Sequence, residues 1–275
     1  MRGQDIKKAV RDRYAEVAAG SSCCSGRVTS CCGHADRAKG ISSNIGYTKE
    51  DLEKVPEGSN LGLGCGNPIA LASLKSGEVV LDLGSGAGFD CFLAADRVGS
   101  QGKVIGVDMT PGMIDKAREN ARKAGITNVE FRLGEIESLP VADGTIDIII
   151  SNCVINLSPD KKKVFKEALR VLKPGGRIMV SDIVLENELP EPVRNDISAY
   201  ASCISGAILK DDYIVAIKEA GFSDINILDE VDFPIQYITS DDTVKIVKNS
   251  SGHNAADCLK ETVLSIKVSA IKPVH

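Results

Sequence analysis

Short apolar runs alternate with helical segments through the middle of the chain, and this alternation constrains the fold more than any other feature. The first run, Val79–Leu83, ends at a glycine-rich loop, and the second, Lys103–Asp108, ends at an acidic residue. Three more runs follow at Val129–Leu133, Ile146–Ile150 and Arg177–Val184. The fourth is nearly all apolar, as expected of a parallel strand covered on both faces. The repeated units predict an α/β fold with a doubly wound, Rossmann-like parallel sheet.

The flanking regions follow other patterns. Apolar positions at helical spacing predict a helix over residues 1–20, and residues 20–45 are rich in Gly, Ser and Cys and predict a loop. Helices are also predicted over Pro192–Ala207 and over Lys210–Ala220, where Gly221 ends the second. Strand-like segments follow around Ile225–Leu228 and Phe233–Thr239.

These patterns predict three regions. Residues 1–60 would hold an N-terminal helix and a cysteine-rich loop, and residues 61–185 the main nucleotide-binding domain. Residues 186–275 would form a smaller α+β domain that covers the ligand cleft.

The glycine-rich loop indicates a nucleotide-like ligand. Its spacing, Asp82-x-Gly84-x-Gly86-x-Gly88, differs from the dinucleotide fingerprint, which would place its last glycine at Phe89. An acid beside the turn favours a cationic ligand with an amino group over a pyrophosphate. Asp108, at the end of the second run, is placed to accept hydrogen bonds from two ribose hydroxyls.

Composition narrows the function classes. The net charge of −5 disfavours a general nucleic-acid binder, and aromatic residues at 4% with no Trp disfavour a platform for stacked bases. No apolar run is long enough to cross a bilayer, and the first residues lack a signal-peptide core, so we expect a cytoplasmic protein without a membrane partner. Nine cysteines in a reducing compartment predict metal, metalloid or redox chemistry rather than structural disulfides.

Three isolated cysteines lie in distinctive sequence frames. They are Cys65 in Leu-Gly-Cys-Gly-Asn-Pro, Cys153 in Ser-Asn-Cys-Val-Ile-Asn, and Cys203 in Ser-Cys-Ile-Ser-Gly. Cys153 directly follows the strand that ends at Ile150, so we expect it at the ligand-binding edge of the sheet. Taken singly, each cysteine could also be a small buried hydrophobe. We assign only that packing role to Cys91 and Cys258.

Together with the glycine-rich loop, these frames resemble the arsenite S-adenosylmethionine methyltransferases of the class I methyltransferase superfamily. The resemblance runs from about residue 5 to about residue 230 and includes Tyr14, Ser22-Cys23-Cys24 and Cys203-Ile204-Ser205-Gly206-Ala207. It implies that Cys65, Cys153 and Cys203 bind As(III) as thiolates, with Cys24 or Cys23 as a further thiol. A second pair, Cys31-Cys32, leaves open which pair matches, and Ala201-Ser202 departs from the acidic residue of some relatives.

The resemblance also implies a cofactor site and a reductant. Glu135 and Ile136 would read the adenine of S-adenosylmethionine. The full set of candidate cofactor contacts is Asp82, Gly84, Ser85, Gly86, Gly88, Asp108, Met109, Glu135, Ile136 and Asn152. Glutathione or thioredoxin would supply electrons between turnovers, and Cys31 and Cys32 would exchange disulfides with them. We expect a monomer with no structural metal.

Competing interpretations remain at this stage. A Rossmann-like unit for another nucleotide would explain the loop. A methyltransferase for a small organic acceptor, such as a quinone precursor, would explain the fold and the glycine-rich loop but not the cysteine frames, and it would need a base. His34, His253 and His275 all lie outside the predicted core. A metalloid or redox sensor would explain the cysteines but not the donor motif. Zinc at the paired cysteines does not fit the usual C-x2-C spacing.

Overall fold

The computed structural model describes residues 3–19, 33–68, 72–201, 203–233 and 262–274. The helices are α1 (Gly3–Ala18), α2 (Gly33–Asn44), α3 (Lys49–Lys54), α4 (Phe89–Val98), α5 (Pro111–Ala124), α6 (Lys161–Val171), α7 (Glu191–Arg194), α8 (Ile197–Ala201) and α9 (Lys210–Ala220), with a 3-10 turn at Ile155–Leu157. The strands are β1 (Val79–Leu83), β2 (Lys103–Asp108), β3 (Val129–Leu133), β4 (Ile146–Asn152), β5 (Leu172–Leu185), β6 (Ser223–Asp232) and β7 (Val263–Ile271). Among these helices, none is long and apolar enough to cross a membrane.

All seven strands form one mixed sheet in the order β3-β2-β1-β4-β5-β7-β6. The first five strands are parallel, which confirms the doubly wound α/β prediction, and β7 pairs antiparallel with both β5 and β6. The four isoleucines of β4 are fully buried, two against the cluster on one face and two against the cluster on the other. The apolar run was therefore a reliable sign of a central strand.

The two described strands of residues 186–275, β6 and β7, belong to the central sheet. The segment predicted around Ile225–Leu228 lies within β6, whereas β7 was not predicted. The segment predicted at Phe233–Thr239 lies, beyond Phe233, outside the described residues. β7 pairs with β5 along Arg177–Leu185, and β6 pairs with β7, so both strands complete the central sheet. Burial drives this pairing, because Val263, Ile266, Val268 and Ala270 of β7 are fully buried. The connection over residues 186–209, between β5 and α9, contains the short helices α7 and α8.

Three local expectations also change. Residues 33–44 form α2 rather than a loop; Ala38, which packs against Gly62, is buried without the large apolar stripe that marks most helices. The helix predicted over Pro192–Ala207 is two short helices, because Asp196 accepts from the Ala199 amide and starts a new helix. Strand β5 begins at Leu172, earlier than predicted, with an irregular register beside Ile146.

Helix α1 and the connection 186–209 pack together over the carboxyl end of β4. Ile6 and Val10 of α1 are buried, as their spacing predicted, and they share an apolar cluster with Leu189, Val193 and Ile204. The same cluster contains the three isolated cysteines. The fold therefore encloses these thiols between the sheet edge, the N-terminal helix and the connection.

Candidate active site

The glycine-rich loop after β1 is fixed against β2 by its backbone. The amides of Gly84 and Ser85 both donate to the carbonyl of Val107, at 2.8 and 3.0 Å. Gly84 has a φ of 69°, and a Cβ on it would overlap the side chain of Val154. A residue without Cβ is therefore required here, because the loop approaches the β4 edge closely.

Asp108 closes the loop from the end of β2. Its carboxylate accepts the Gly86 amide at 3.0 Å and the Thr110 amide at 2.8 Å. Burial nevertheless raises the pKa of Asp108 above its ordinary value. Each oxygen keeps a second lone pair, so the carboxylate can still accept hydrogen bonds from ligand hydroxyls.

Two more carboxyl groups lie beside the loop. Asp82 is buried and accepts a hydrogen bond from the Cys91 thiol, and burial raises its pKa well above the ordinary value. Burial also raises the pKa of Asp90 to about 6, although Tyr47 donates to it at 2.6 Å and Asn152 at 3.2 Å. A cationic ligand group beside this pair would favour the ionised carboxylates.

An open cavity of about 1060 Å³ lies in front of the loop and the ends of β1, β2 and β4. Twelve of its lining residues come from the sequence prediction or from α1: Asp82, Gly84, Ser85, Gly86, Asp108, Met109, Ile136, Asn152, Cys153, Lys7, Val10 and Tyr14. The Ser85 hydroxyl is buried at this wall and has no hydrogen-bond partner among the described residues. Its unused donor and acceptor, together with the carboxylates, fit a polar ligand such as the predicted nucleoside.

Gly88 and Glu135 are the two predicted cofactor residues that do not line this cavity. The Glu135 carboxylate instead binds Lys7 of α1 at 2.7 Å and Arg11 at 3.6 Å. Its neighbours Ile136 and Glu137 do line the cavity, and Glu137 binds the Ser158 hydroxyl at 2.6 Å. The role of Glu135 in reading adenine remains a prediction.

The three isolated cysteines converge beside the cavity wall. Cys65, Cys153 and Cys203 are all buried and free, and Cys153 itself lines the cavity. The Cys203 thiol donates to the carbonyl of Cys153 at 3.1 Å, and the Cys65 thiol approaches the carbonyl of Ser181 at 3.5 Å. The Cys153 amide donates to that same Ser181 carbonyl at 2.8 Å. The thiols thus come from three separate parts of the chain.

Two of the three thiols, those of Cys65 and Cys153, favour the neutral form. Hydrogen bonding with the thiols of Cys203 and then Cys65, together with burial, raises the pKa of Cys153 well above its ordinary value. Burial raises the pKa of Cys65 as well. Raised pKa values mean that ionising these thiols costs free energy. A ligand that replaces the thiol protons with covalent or coordinate bonds would offset that cost.

Asn152 links the thiols to the cavity wall. Its side-chain oxygen accepts the Cys65 amide at 3.0 Å, and its amide nitrogen donates to Tyr47 and to the carbonyl of Gly66, both at 2.8 Å. A Cβ at Gly64 would lie only 2.6 Å from that nitrogen. The Gly-Cys-Gly frame is therefore needed for the loop to close on Asn152.

A buried polar group behind the thiols was missed by the sequence analysis. Asp182 of β5 is fully buried; one of its carboxylate oxygens and the thiols of Cys65 and Cys153 all lie within 4.8 Å of one another. Tyr213 donates to Asp182 at 3.1 Å, and the nearby buried Lys161 attracts it. Burial raises the pKa of Asp182 to about 7 and lowers that of Lys161 to about 8. An acid within the apolar β5 run was the available signal.

Several predicted residues lie outside the described part of the chain. Cys23 and Cys24 are among them, as are Cys31, Cys32 and Cys258. His253 and His275 are too, and the side chain of His34 is likewise not described.

Comparisons with known proteins match methyltransferases. A methyltransferase-domain family model matches residues 74–221. The arsenite methyltransferase of Halobacterium salinarum is 49% identical over 231 residues, covering 82% of this chain and 59% of that protein. The one from Aquipseudomonas alcaligenes is 39% identical over 233 residues, covering 82% of this chain and 64% of that protein. The chain thus spans less than two thirds of the length of either relative.

A solved structure gives the same result. The crystal structure of an arsenic(III) S-adenosylmethionine methyltransferase from Chlamydomonas reinhardtii aligns with a TM-score of 0.64 and 34% identity. The alignment covers 86% of this chain and 73% of that one.

Proposed function

Because the chain belongs to the arsenite methyltransferases, within the S-adenosylmethionine-dependent class I methyltransferases, we propose that it transfers a methyl group from S-adenosylmethionine to arsenite. One observation carries the proposal. Three buried thiols from distant parts of the chain meet around Cys153, which lines the cavity beside the glycine-rich loop. A methyltransferase for an organic acceptor would have no use for this arrangement.

The residues around the cavity suit the donor. When bound, S-adenosylmethionine supplies an electrophilic methyl group on a positively charged sulfonium sulfur. We propose that Asp108 accepts hydrogen bonds from its ribose, that the unpartnered Ser85 hydroxyl bonds one of its polar groups, and that Asp82 and Asp90 attract its cationic amino-acid end. Glu135 and Ile136 remain the proposed contacts for the adenine.

The thiols suit As(III). Soft thiolates are its preferred ligands, and we propose that Cys65, Cys153 and Cys203 supply them. As(OH)₃ would lose three hydroxides, each leaving as water with one thiol proton, so binding needs no external base. Three As–S bonds form a pyramid and leave the arsenic lone pair as the nucleophile.

The other residues of the site position the arsenic atom relative to the methyl donor. Cys153 lines the cavity, so an arsenic atom bound to it faces the space proposed for the donor. Asn152 holds the Cys65 backbone, and the apolar cluster of α1 and residues 186–209 keeps water away from the thiols. We propose that this connection, rather than a complete C-terminal domain, covers the site. Orientation and exclusion of water lower the barrier without acid–base groups.

Each transfer forms an As–C bond with the arsenic lone pair and raises arsenic formally from As(III) to As(V). A two-electron reductant is therefore needed before the next transfer. We propose glutathione or thioredoxin for this step, with Cys24 or Cys23 as an additional thiol that captures arsenic or is oxidised. Thiol–disulfide exchange with the reductant would restore such a cysteine.

Turnover with labelled S-adenosylmethionine, As(III) and excess thiol tests the proposal. Wild type should release methylated arsenic, and Cys153→Ser should lose at least about 99% of that activity because the ligand beside the donor is gone. Cys91→Ser is the matched control: it is equally buried, and its hydroxyl can still donate to Asp82. Donor binding without arsenic methylation in wild type would redirect the assignment to an organic acceptor.

A further inference from the structure

Beside the three thiols lies a further side chain that can coordinate a metal, that of Asp182, and As(III) does not need it. A carboxylate oxygen of Asp182 and the sulfur atoms of Cys65 and Cys153 lie within 4.8 Å of one another, and all three residues are buried. Cys203 is not part of this cluster; it contacts Cys153 from the connection over residues 186–209. Cys153 therefore belongs to two overlapping sets of ligands.

The second set has the chemistry of a divalent cation site. Two thiolates and a carboxylate are ligands for Zn²⁺ and its larger analogue Cd²⁺, whereas a trivalent arsenic atom is satisfied by three thiolates alone. A tetrahedral Zn²⁺ ion holds such atoms about 3.5 Å apart, so movements of roughly 1 Å would close the site. Cys153 also faces the cavity, where water can occupy the fourth position.

The surroundings support a bound cation. Asp182 is oriented by hydrogen bonds from Tyr213 at 3.1 Å and from the Ile183 amide at 2.9 Å, as carboxylate ligands usually are. Two thiolates and one carboxylate around a divalent ion leave a net charge of −1. The buried ammonium of Lys161, held by the carbonyls of Asn156 and Ser158, attracts Asp182 and balances that charge.

We propose that Cys65, Cys153 and Asp182 bind a divalent thiophilic cation, Zn²⁺ or Cd²⁺, and that this cation competes with arsenite for the site. Binding replaces two thiol protons, which pass to solvent, by two metal–sulfur bonds. Only the competition rests on the proposed function, since cation binding is a property of the three residues alone.

Cd²⁺ binding is measured by the ultraviolet charge-transfer absorption of its thiolate bonds and by calorimetry, without turnover. All variants are made in one background, the 275-residue chain with Cys23, Cys24, Cys31, Cys32 and Cys258 replaced by Ser, which removes the other thiols that could pair. Circular dichroism and S-adenosylhomocysteine binding show that each variant is folded. In that background we expect one Cd²⁺ per chain.

Four variants test the two ligand sets, and Asp182→Asn and Cys203→Ser separate them. Asp182→Asn keeps the shape and the Tyr213 contact but should weaken Cd²⁺ at least about tenfold, and Cys65→Ser should do the same. Cys203→Ser should leave the Cd²⁺ affinity within about threefold of the background, because Cys203 is outside the cluster. Cys91→Ser, a buried cysteine beside another carboxyl, should change nothing.

Equal Cd²⁺ affinity in the background and in Asp182→Asn would overturn the proposal, as would loss of Cd²⁺ in Cys203→Ser. With the natural cysteines restored, Zn²⁺ should raise the apparent KM for arsenite. If Cd²⁺ binds as expected but arsenite is not methylated, only the proposed function fails. If arsenite is methylated but Cd²⁺ does not bind, only this inference fails.

Discussion

The thiol of Cys203 donates a 3.1 Å hydrogen bond to the backbone carbonyl of Cys153, and both residues have left-handed backbone conformations, with φ of 66° and 57°. Non-glycine residues in this region cost free energy that the surrounding structure must offset. Cys153 follows the end of β4, and Cys203 follows the end of α8. The left-handed conformation at each position brings the two cysteines into contact. The fold thus holds the two thiols in strained but defined positions.

Gly84→Ala should impair donor binding more than an ordinary glycine substitution. Its φ is 69°, and a Cβ would overlap Val154 at the cavity wall. Gly125→Ala is the matched control, because its φ is 66° but nothing lies within 4 Å of its Cβ. Both variants should lose about 1 kcal/mol or more of stability. Only Gly84→Ala should weaken S-adenosylhomocysteine binding in calorimetry; equal binding by the two would contradict the role of this loop.

Asn152→Ala should lower both the stability of the chain and its affinity for As(III), because Asn152 joins the cavity wall to the Cys65 backbone. The substitution removes the acceptor for the Cys65 amide and two donors to Tyr47 and Gly66, so unfolding by urea should require about 1–3 kcal/mol less free energy. As(III) affinity should fall as well. Asn128→Ala removes two side-chain hydrogen bonds, to the carbonyls of Ala95 and Gly99, away from the thiols. It should destabilise the chain to a similar degree with As(III) affinity unchanged; a parallel loss of affinity in both variants would argue against a specific link.

Asp182 should make stability depend on pH in a defined direction. Burial raises its folded-state pKa from 3.8 to about 7, so between these values the folded chain holds a proton that the unfolded chain has lost. Stability from this group therefore falls as pH rises through that window. Relative to wild type, Asp182→Asn should gain about 2 kcal/mol in free energy of unfolding between about pH 5 and about pH 7. A difference that stays constant over this range in urea titrations would show that the carboxyl is not held protonated.

Local sequence patterns predicted individual strands and turns, but not the complete strand order. The apolar run at Ile146–Ile150 indicated a central strand, and the spacing Gly84-x-Gly86 indicated a tight turn; the structure has both, and the turn lines the cavity. The strand order at the far edge depends instead on the long-range pairing of β7 with β5, which no local pattern encodes. Helix α2 was missed because it buries small residues such as Ala38 rather than an apolar stripe.

The candidate site, like the fold, was predictable from the sequence only in part. The frames around Cys65 and Cys153 were visible in the sequence, but their contact through Asn152 and Ser181 exists only once the loop closes on the sheet. Asp182 sits in an apolar strand beside these thiols, and its place there follows from the pairing of β4 with β5. Sequence spacing carries no information on such contacts.

X-ray absorption at the arsenic edge tests the central claim most directly, since it counts the atoms bonded to arsenic. With one equivalent of As(III), wild type should show three sulfur neighbours and no oxygen, from Cys65, Cys153 and Cys203. Cys203→Ser should show two sulfur neighbours and one oxygen. Three sulfur neighbours in both proteins would place the third ligand elsewhere in the chain, and two or fewer in wild type would contradict the three-thiol site.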